Sequence, residues 1–113
     1  KMAIATLTAR RHAEKALLDR DMMQYFEFML TIEDIGVSKR EPDIYLAAAE
    51  RLGLAPADCM VFEDAPYAGV TAHRAGFQLC GLAEPAYAAG EAELRSVSDV
   101  FIEHSYSELD GKL

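Results

Sequence analysis

The chain has 113 residues, of which 51% are hydrophobic and 27% charged, an ordinary composition for one globular domain. Its net charge of −8 argues against a nucleic-acid or anionic-membrane surface, because either polyanion would repel an acidic protein. A small phosphate ester is not excluded, since a few cations can bind one locally. No apolar run approaches the roughly 20 residues that span a bilayer. Cys59 and Cys80 lie far apart in apolar runs, which favours reduced, buried thiols and a cytoplasmic protein.

The first half of the chain alternates predicted strands and helices. The apolar run 2–6 predicts a strand of the kind buried on both faces of a parallel sheet. A helix is predicted over 12–19, and the aromatic and branched run 25–32 should contain a second strand. Residues 35–40 should form a loop. Because the chain starts inside its first predicted strand, we expect it to be a piece cut from a longer protein.

The second half continues the alternation. Pro42 between two acidic residues predicts the start of a helix that ends at Gly53. A third strand, 59–62, leads into Glu63 and Asp64. The later predictions are a helix over 69–75 closed by Gly76, a strand over 77–82, a helix over 91–97, a strand over 100–102 and a helical turn over 106–109. The pattern predicts an α/β fold with a parallel sheet covered on both faces.

Chemically useful residues stand at the ends of the predicted strands, where such sheets bind ligands. Thr6 offers a hydroxyl and following N–H groups as an anion-binding corner, although a turn or cap is its commoner role. Glu63 and Asp64 suit Mg²⁺, although such a pair is more often a solvated turn. Lys39, in the loop before a helix, would by itself be a surface lysine. The order of these signals carries more information than any one of them.

This order resembles the haloacid dehalogenase-like superfamily, especially its β-phosphoglucomutase-like branch of sugar phosphatases and phosphomutases. The resemblance runs from Lys1 to about Leu82 and is most specific over 38–53 and 59–77. Members carry an Asp-x-Asp nucleophile motif, a Ser or Thr at the end of the next core strand, a Lys before a helix, and an acidic pair. The last three are matched here by Thr6, Lys39, Glu63 and Asp64.

The resemblance implies a role for each matched residue. Thr6 and the Leu7 N–H would hold the transferring phosphoryl group, and Thr8 and Arg10 would face the leaving group. Lys39 would neutralise the phosphate and the nucleophilic carboxylate.

The acidic pair implies the cofactor. Asp64 would bind Mg²⁺ directly, and Glu63 would bind it directly or through water. The resemblance thus implies a Mg²⁺-dependent phosphatase or phosphomutase acting on a small phosphorylated metabolite, with a sugar phosphate favoured, through an aspartyl-phosphate. A dehalogenase is disfavoured, because those relatives work without Mg²⁺.

The chain departs from the family pattern in two places. The usual Gly-Lys-Pro is replaced by 38–40, Ser-Lys-Arg, and no apolar strand ends in Asp-x-Asp. The run 19–21 has those letters but lies in or after a helix. Residues 1–113 are therefore expected to be the C-terminal portion of the core domain: a partial Rossmann-like sheet flanked by helices, without the central nucleophile strand and the cap domain. Such a fragment would be inactive alone.

The absence of the nucleophile strand leads us to expect a protein partner for this chain. Without it, two apolar strands would have open edges, which are prone to aggregate. We therefore expect this chain to associate with the missing N-terminal half or with a second copy of itself. The alternative is a degenerate, non-catalytic fragment that serves as a binding or structural module, and the sequence upstream of Lys1 would discriminate the two.

Overall fold

The structure is a computed structural model that describes residues 1–112. Its contacts divide the chain into two compact units, Lys1–Leu54 and Ala55–Leu113. Each unit contains parallel strands with helices packed against them, so the predicted α/β class with parallel sheets is confirmed. None of the described helices is both long enough and apolar enough to cross a membrane.

The first unit is a two-stranded parallel sheet with helices. Its elements are β1 (Ile4–Thr6), α1 (Arg10–Asp19), a 3₁₀ turn (Met23–Tyr25), β2 (Met29–Thr31), α2 (Ile32–Ile35) and α3 (Asp43–Leu52). Thr6 lies opposite Thr31 in the register of the two strands. Ile44, Tyr45 and Ala49 on α3 are buried, and this helix packs on β1 and β2.

Helix α2 is not predicted by the sequence pattern, which gives Ile32 to the second strand, Ile35 to the following loop and residues 33–34 to no element. It begins at once after β2 because the Asp34 carboxylate accepts hydrogen bonds from the Thr31 backbone N–H (2.7 Å) and hydroxyl (3.1 Å). It ends at Gly36, whose φ of 82° suits the left-handed cap. The first helix also begins earlier than predicted, at Arg10. The predicted end of α3 at Gly53 is confirmed by a left-handed φ of 73°.

The second unit is a three-stranded parallel sheet in the order β3–β4–β5. Its elements are a 3₁₀ turn (Pro56–Asp58), β3 (Met60–Glu63), α4 (Pro66–Arg74), β4 (Gln78–Leu82), a 3₁₀ segment (Pro85–Gly90), α5 (Glu91–Val97), β5 (Val100–Ile102) and a 3₁₀ turn (Tyr106–Leu109). Helix α4 begins three residues before its predicted start, because a proline fits the first turn of a helix. Cys80 is buried as predicted, whereas Cys59, which precedes β3, is only partly buried.

Among residues 1–112, every strand except β4 keeps one edge without a strand partner. Strand β1 pairs only with β2, and β3 pairs only with β4. A nucleophile strand between β1 and β3 stays a prediction.

Candidate functional site

The predicted anion-binding corner follows β1 in the first unit. The Thr8 backbone N–H donates to the Thr6 hydroxyl oxygen at 3.1 Å and closes a turn. Thr6 and Leu7 are partly buried, and Thr8 is exposed. A hydroxyl that accepts a hydrogen bond still has its own proton to donate. The turn role of Thr6 is therefore compatible with a hydrogen bond to a phosphate oxygen.

Arg10 is held by oxygen atoms of its own unit. Its Nη2 donates to Asp34 Oδ2 at 2.7 Å and to the Met29 carbonyl at 2.8 Å, and its Nη1 lies 3.3 Å from Glu14 Oε1. Its backbone N–H donates to Glu33 Oε1 at 3.1 Å. The Thr31 N–H first, and then the Arg10 guanidinium, hold the pKa of Asp34 below its usual value.

Glu33 and Asp34 were not predicted from the sequence to lie at the candidate site. A signal for Asp34 was present, because Thr31-x-x-Asp34 has the spacing of a capping box. The leaving-group role of Arg10 stays a prediction, and such a contact would have to be made from within this hydrogen-bond network.

Lys39 lies in a loop that is closed by hydrogen bonds to the preceding residue, Ser38. The Ser38 hydroxyl accepts from the Arg40 N–H, and the Ser38 carbonyl accepts from the Glu41 N–H, both at 3.2 Å. The Lys39 ammonium lies 5.5 Å from the ring centroid of the buried Tyr45. Serine in place of the family's glycine therefore adds a hydrogen bond to this turn, and the ring gives the ammonium a fixed neighbour.

The acidic pair ends β3 in the second unit. Glu63 is buried, with 8% of its surface exposed, and its Oε1 lies 3.5 Å from the Ala65 backbone N–H. Asp64 is partly buried, and burial first, then the neighbouring Glu63 carboxylate, raises the pKa of Asp64. The neighbouring carboxylate disfavours the charged form of Asp64, and a bound cation relieves that repulsion.

This donor set fits Mg²⁺. Carboxylate oxygens are hard ligands, and Mg²⁺ usually takes one or two of them together with waters and phosphate oxygens. Across residues 1–112 no group of three or more His, Cys, Asp or Glu side chains is arranged to hold a metal ion. The chain therefore offers Glu63 and Asp64 as a partial ligand set that water, phosphate or further residues would complete.

A pocket of about 200 Å³ lies at the carboxyl ends of the strands of the second unit, the edge where α/β sheets bind ligands. It is lined by Asp64 and by residues at the ends of β4 and β5 and just beyond them: Leu82, Ala83, Glu84, Ile102, Glu103, His104, Ser105 and Tyr106. No role is predicted from the sequence for residues after 82. The structure places several of them beside Asp64.

One carboxylate orders the wall of this pocket after β5. Glu108 accepts hydrogen bonds from the backbone N–H groups of Glu103 (3.1 Å), His104 (2.7 Å) and Ser105 (2.7 Å). These N–H groups, with that of Ser105 first, lower the pKa of Glu108 to about 2. Charged Glu108 therefore stabilises the folded wall.

Replacing Glu108 with Gln is expected to lower the urea midpoint of unfolding at pH 7. The folded-state pKa of about 2 lies below the ordinary 4.5, so the stabilisation is complete above pH 4.5. It is lost as the pH falls through this window toward 2, and the difference between wild type and variant should shrink there. Glu93→Gln, an exposed position on α5, is the control. A difference that is the same at pH 7 and pH 2 would contradict the assignment.

The site residues predicted from the sequence fall into both units. The first contains Thr6, Leu7, Thr8, Arg10 and Lys39, and the second contains Glu63 and Asp64. Their roles in catalysis and binding remain predictions.

Comparison with known proteins gives the family and the extent of the match. A sequence profile of haloacid dehalogenase-like hydrolases matches residues 1–76. Validoxylamine A 7'-phosphate phosphatase of Streptomyces hygroscopicus subsp. limoneus is 33% identical over 81 residues, which are 72% of this chain and 38% of that protein. The phosphorylated carbohydrates phosphatase of Thermotoga maritima is 36% identical over 78 residues, 69% of this chain and 36% of that protein.

Solved structures agree in fold. A haloacid dehalogenase family hydrolase from Deinococcus radiodurans R1, crystallised with bound phosphate and sodium, has a TM-score of 0.80 and 29% identity over 95% of this chain and 48% of its own. A candidate β-phosphoglucomutase from Thermotoga maritima has a TM-score of 0.79 and 31% identity over 91% of this chain and 48% of its own. The chain thus spans less than half the length of these four proteins.

Proposed function

The chain belongs to the haloacid dehalogenase-like hydrolase family, and from this membership we propose that the protein containing it is a Mg²⁺-dependent phosphatase or phosphomutase. The observation that carries the proposal is the pair Glu63 and Asp64 at the carboxyl end of β3, where burial and like charge raise the pKa of Asp64. Relatives named as phosphatases of phosphorylated sugars and sugar-like compounds support a small phosphorylated carbohydrate as the substrate.

The mechanism assigns each residue a task that phosphoryl transfer requires. The reaction depends mainly on positioning and charge neutralisation. The Thr6 hydroxyl and the Leu7 N–H donate to oxygens of the transferring phosphoryl group. Lys39 offsets the charge of the phosphate and of an attacking carboxylate.

The remaining residues act at the metal and at the leaving group. Glu63 and Asp64 hold Mg²⁺, which supplies further neutralisation of the phosphate charge when it is bound. Thr8 and Arg10 lie next to the corner, on the side assigned to the leaving group.

The proposed activity also requires the rest of the core domain, which lies outside residues 1–113. The family resemblance implies a further strand that supplies the Asp-x-Asp nucleophile, and β1 and β3 are among the strands that keep an edge on which a strand can pair. The missing N-terminal half of the same protein is the proposed partner, with a second copy of the chain as the other candidate. A cap domain would determine which substrate is bound. The two cysteines form no disulfide, which is compatible with a cytoplasmic location.

The test is an assay of the full-length protein against a panel of sugar phosphates, with Mg²⁺ and with excess EDTA. Release of inorganic phosphate indicates a phosphatase, and interconversion of phosphate isomers indicates a phosphomutase. Either activity should disappear on chelation and return with added Mg²⁺. As a control, the intact mass of the native product shows whether the assayed protein starts upstream of Lys1. No turnover from a product that starts at Lys1 would instead favour the non-catalytic module.

A further inference from the structure

The anion-binding corner is a short segment anchored at both ends. At one end Thr6 lies opposite Thr31 in the β1–β2 ladder. At the other end Arg10 begins α1, and its guanidinium donates to the Met29 carbonyl on β2. Leu7, whose N–H is assigned to the phosphoryl group, lies between these anchors. The direction of that N–H therefore depends on both anchors.

One oxygen atom connects the two anchors. Asp34 Oδ2 accepts from Arg10 Nη2 at 2.7 Å, from the Thr31 backbone N–H at 2.7 Å and from the Thr31 hydroxyl at 3.1 Å. Thr31 is fully buried, and the side chains of Arg10 and Asp34 are only 35% and 36% exposed. The pair is thus more sheltered than the ion pair of Lys15 and Asp19, which has the same 2.7 Å distance but side chains 74% and 57% exposed.

The neighbouring acid adds a third attachment. Glu33 Oε1 accepts from the Arg10 backbone N–H at 3.1 Å. Successive carboxylates of α2 thus hold the backbone and the side chain of the residue at which α1 begins. A carboxylate at this place satisfies an N–H that an α-helix leaves without an intrahelical partner.

We propose that Asp34 is a positioning residue for phosphoryl binding, which acts through Arg10 and Thr31 to fix the corner of Thr6 and Leu7. The inference rests on the proposed function, because it assumes that this corner binds the phosphoryl group. Donors held in place before the substrate arrives lose little free energy to reorganisation, and small displacements of them are costly in rate. Removal of the Asp34 charge should loosen the corner without removing any group that touches the substrate.

The direct contact with the substrate that the sequence predicts for Arg10 would give the opposite result. If Arg10 binds the phosphorylated substrate directly, Asp34 competes with the substrate for the guanidinium. Weakening the ion pair would then free a cation and tighten phosphate binding. Under the positioning role, weakening the pair loosens phosphate binding. The sign of the change separates the two roles.

The test compares Asp34→Asn with Asp19→Asn in the full-length protein. Asparagine keeps an acceptor for the Thr31 N–H and removes the charge that holds Arg10. The control makes the same substitution in an exposed ion pair with the same 2.7 Å distance between nitrogen and oxygen. The readouts are kcat/KM for the best phosphate ester, inhibition by inorganic phosphate, and phosphate-induced shifts of the Leu7 and Thr8 amide resonances, all measured well below the Tm.

For Asp34→Asn we expect kcat/KM to fall by about 10- to 100-fold, the usual effect of losing a supporting contact, with weaker phosphate inhibition and smaller amide shifts. Asp19→Asn should change each readout less than about twofold, as expected for an exposed ion pair. If Asp34→Asn does not fold, Asp34→Ser, which also removes the charge that holds Arg10 and keeps a hydroxyl acceptor near the Thr31 N–H, should show the same pattern.

An unchanged kcat/KM and phosphate affinity in Asp34→Asn would overturn this inference and leave the proposed function standing. Tighter phosphate binding in this variant would do the same. A wild-type protein that neither turns over phosphate esters nor binds phosphate would instead overturn the proposed function, and the inference with it.

Discussion

Replacing Asp64 with Ala in the full-length protein is expected to lower Mg²⁺-dependent turnover by at least about 10³-fold, because the metal loses its directly binding carboxylate. Burial and the Glu63 carboxylate raise the pKa of Asp64, so the folded protein holds this carboxylate where its charge is unfavourable without a cation. Removal of one member of the pair should therefore abolish metal binding and leave the fold stable or slightly more stable.

The measurement is turnover against Mg²⁺ concentration, together with Mg²⁺ binding by calorimetry and a thermal melt. Asp58→Ala is the matched control, because Asp58 is exposed in the turn that precedes the same strand, at its amino end. Wild-type dependence of Asp64→Ala on Mg²⁺ would remove this carboxylate from the metal site. Equal losses in both variants would point to damage to β3 rather than to a ligand.

Replacing Lys39 with Met is expected to lower kcat by about 10²- to 10³-fold with a smaller change in KM, because a cation acting on developing charge contributes mainly in the transition state. The ammonium lies 5.5 Å from the ring centroid of the buried Tyr45, in a turn that the Ser38 hydroxyl closes. This setting favours a positioned charge over a mobile surface lysine.

Lys39→Arg separates charge from shape. The guanidinium keeps the charge but is planar and bulkier, so we expect only partial recovery of kcat. Lys15→Met removes a lysine from the exposed face of α1, where it pairs with Asp19, and should leave kcat near wild type. Full activity in Lys39→Met would assign the neutralising role to another cation.

Local chemistry accounts for the parts of the fold that were predicted correctly. Helix α3 starts beside Pro42 and ends at a left-handed Gly53, as its capping residues indicate. Helix α5 (91–97), strand β5 (100–102) and the turn 106–109 coincide with their predicted limits. Each of these limits is encoded within a few residues, by a cap, a proline, a glycine or an apolar run.

The errors lie where a side chain decides a local limit. Helix α2 follows β2 without a loop because Asp34 accepts from Thr31, three residues earlier. Apolar periodicity does not register a hydrogen bond of this kind. The start of α4 at Pro66 was also missed, although a proline fits the first turn of a helix.

The sequence by itself determined the class of fold, the matched motif residues and the family to which they point. Only the tertiary structure showed that Arg10 is held by Asp34, 24 residues away, and that residues after β4 and β5 line a pocket with Asp64. The physical reason is the range of the interaction. Caps and apolar periods act between near neighbours in the chain, whereas an ion pair or a pocket wall depends on how distant segments fold together.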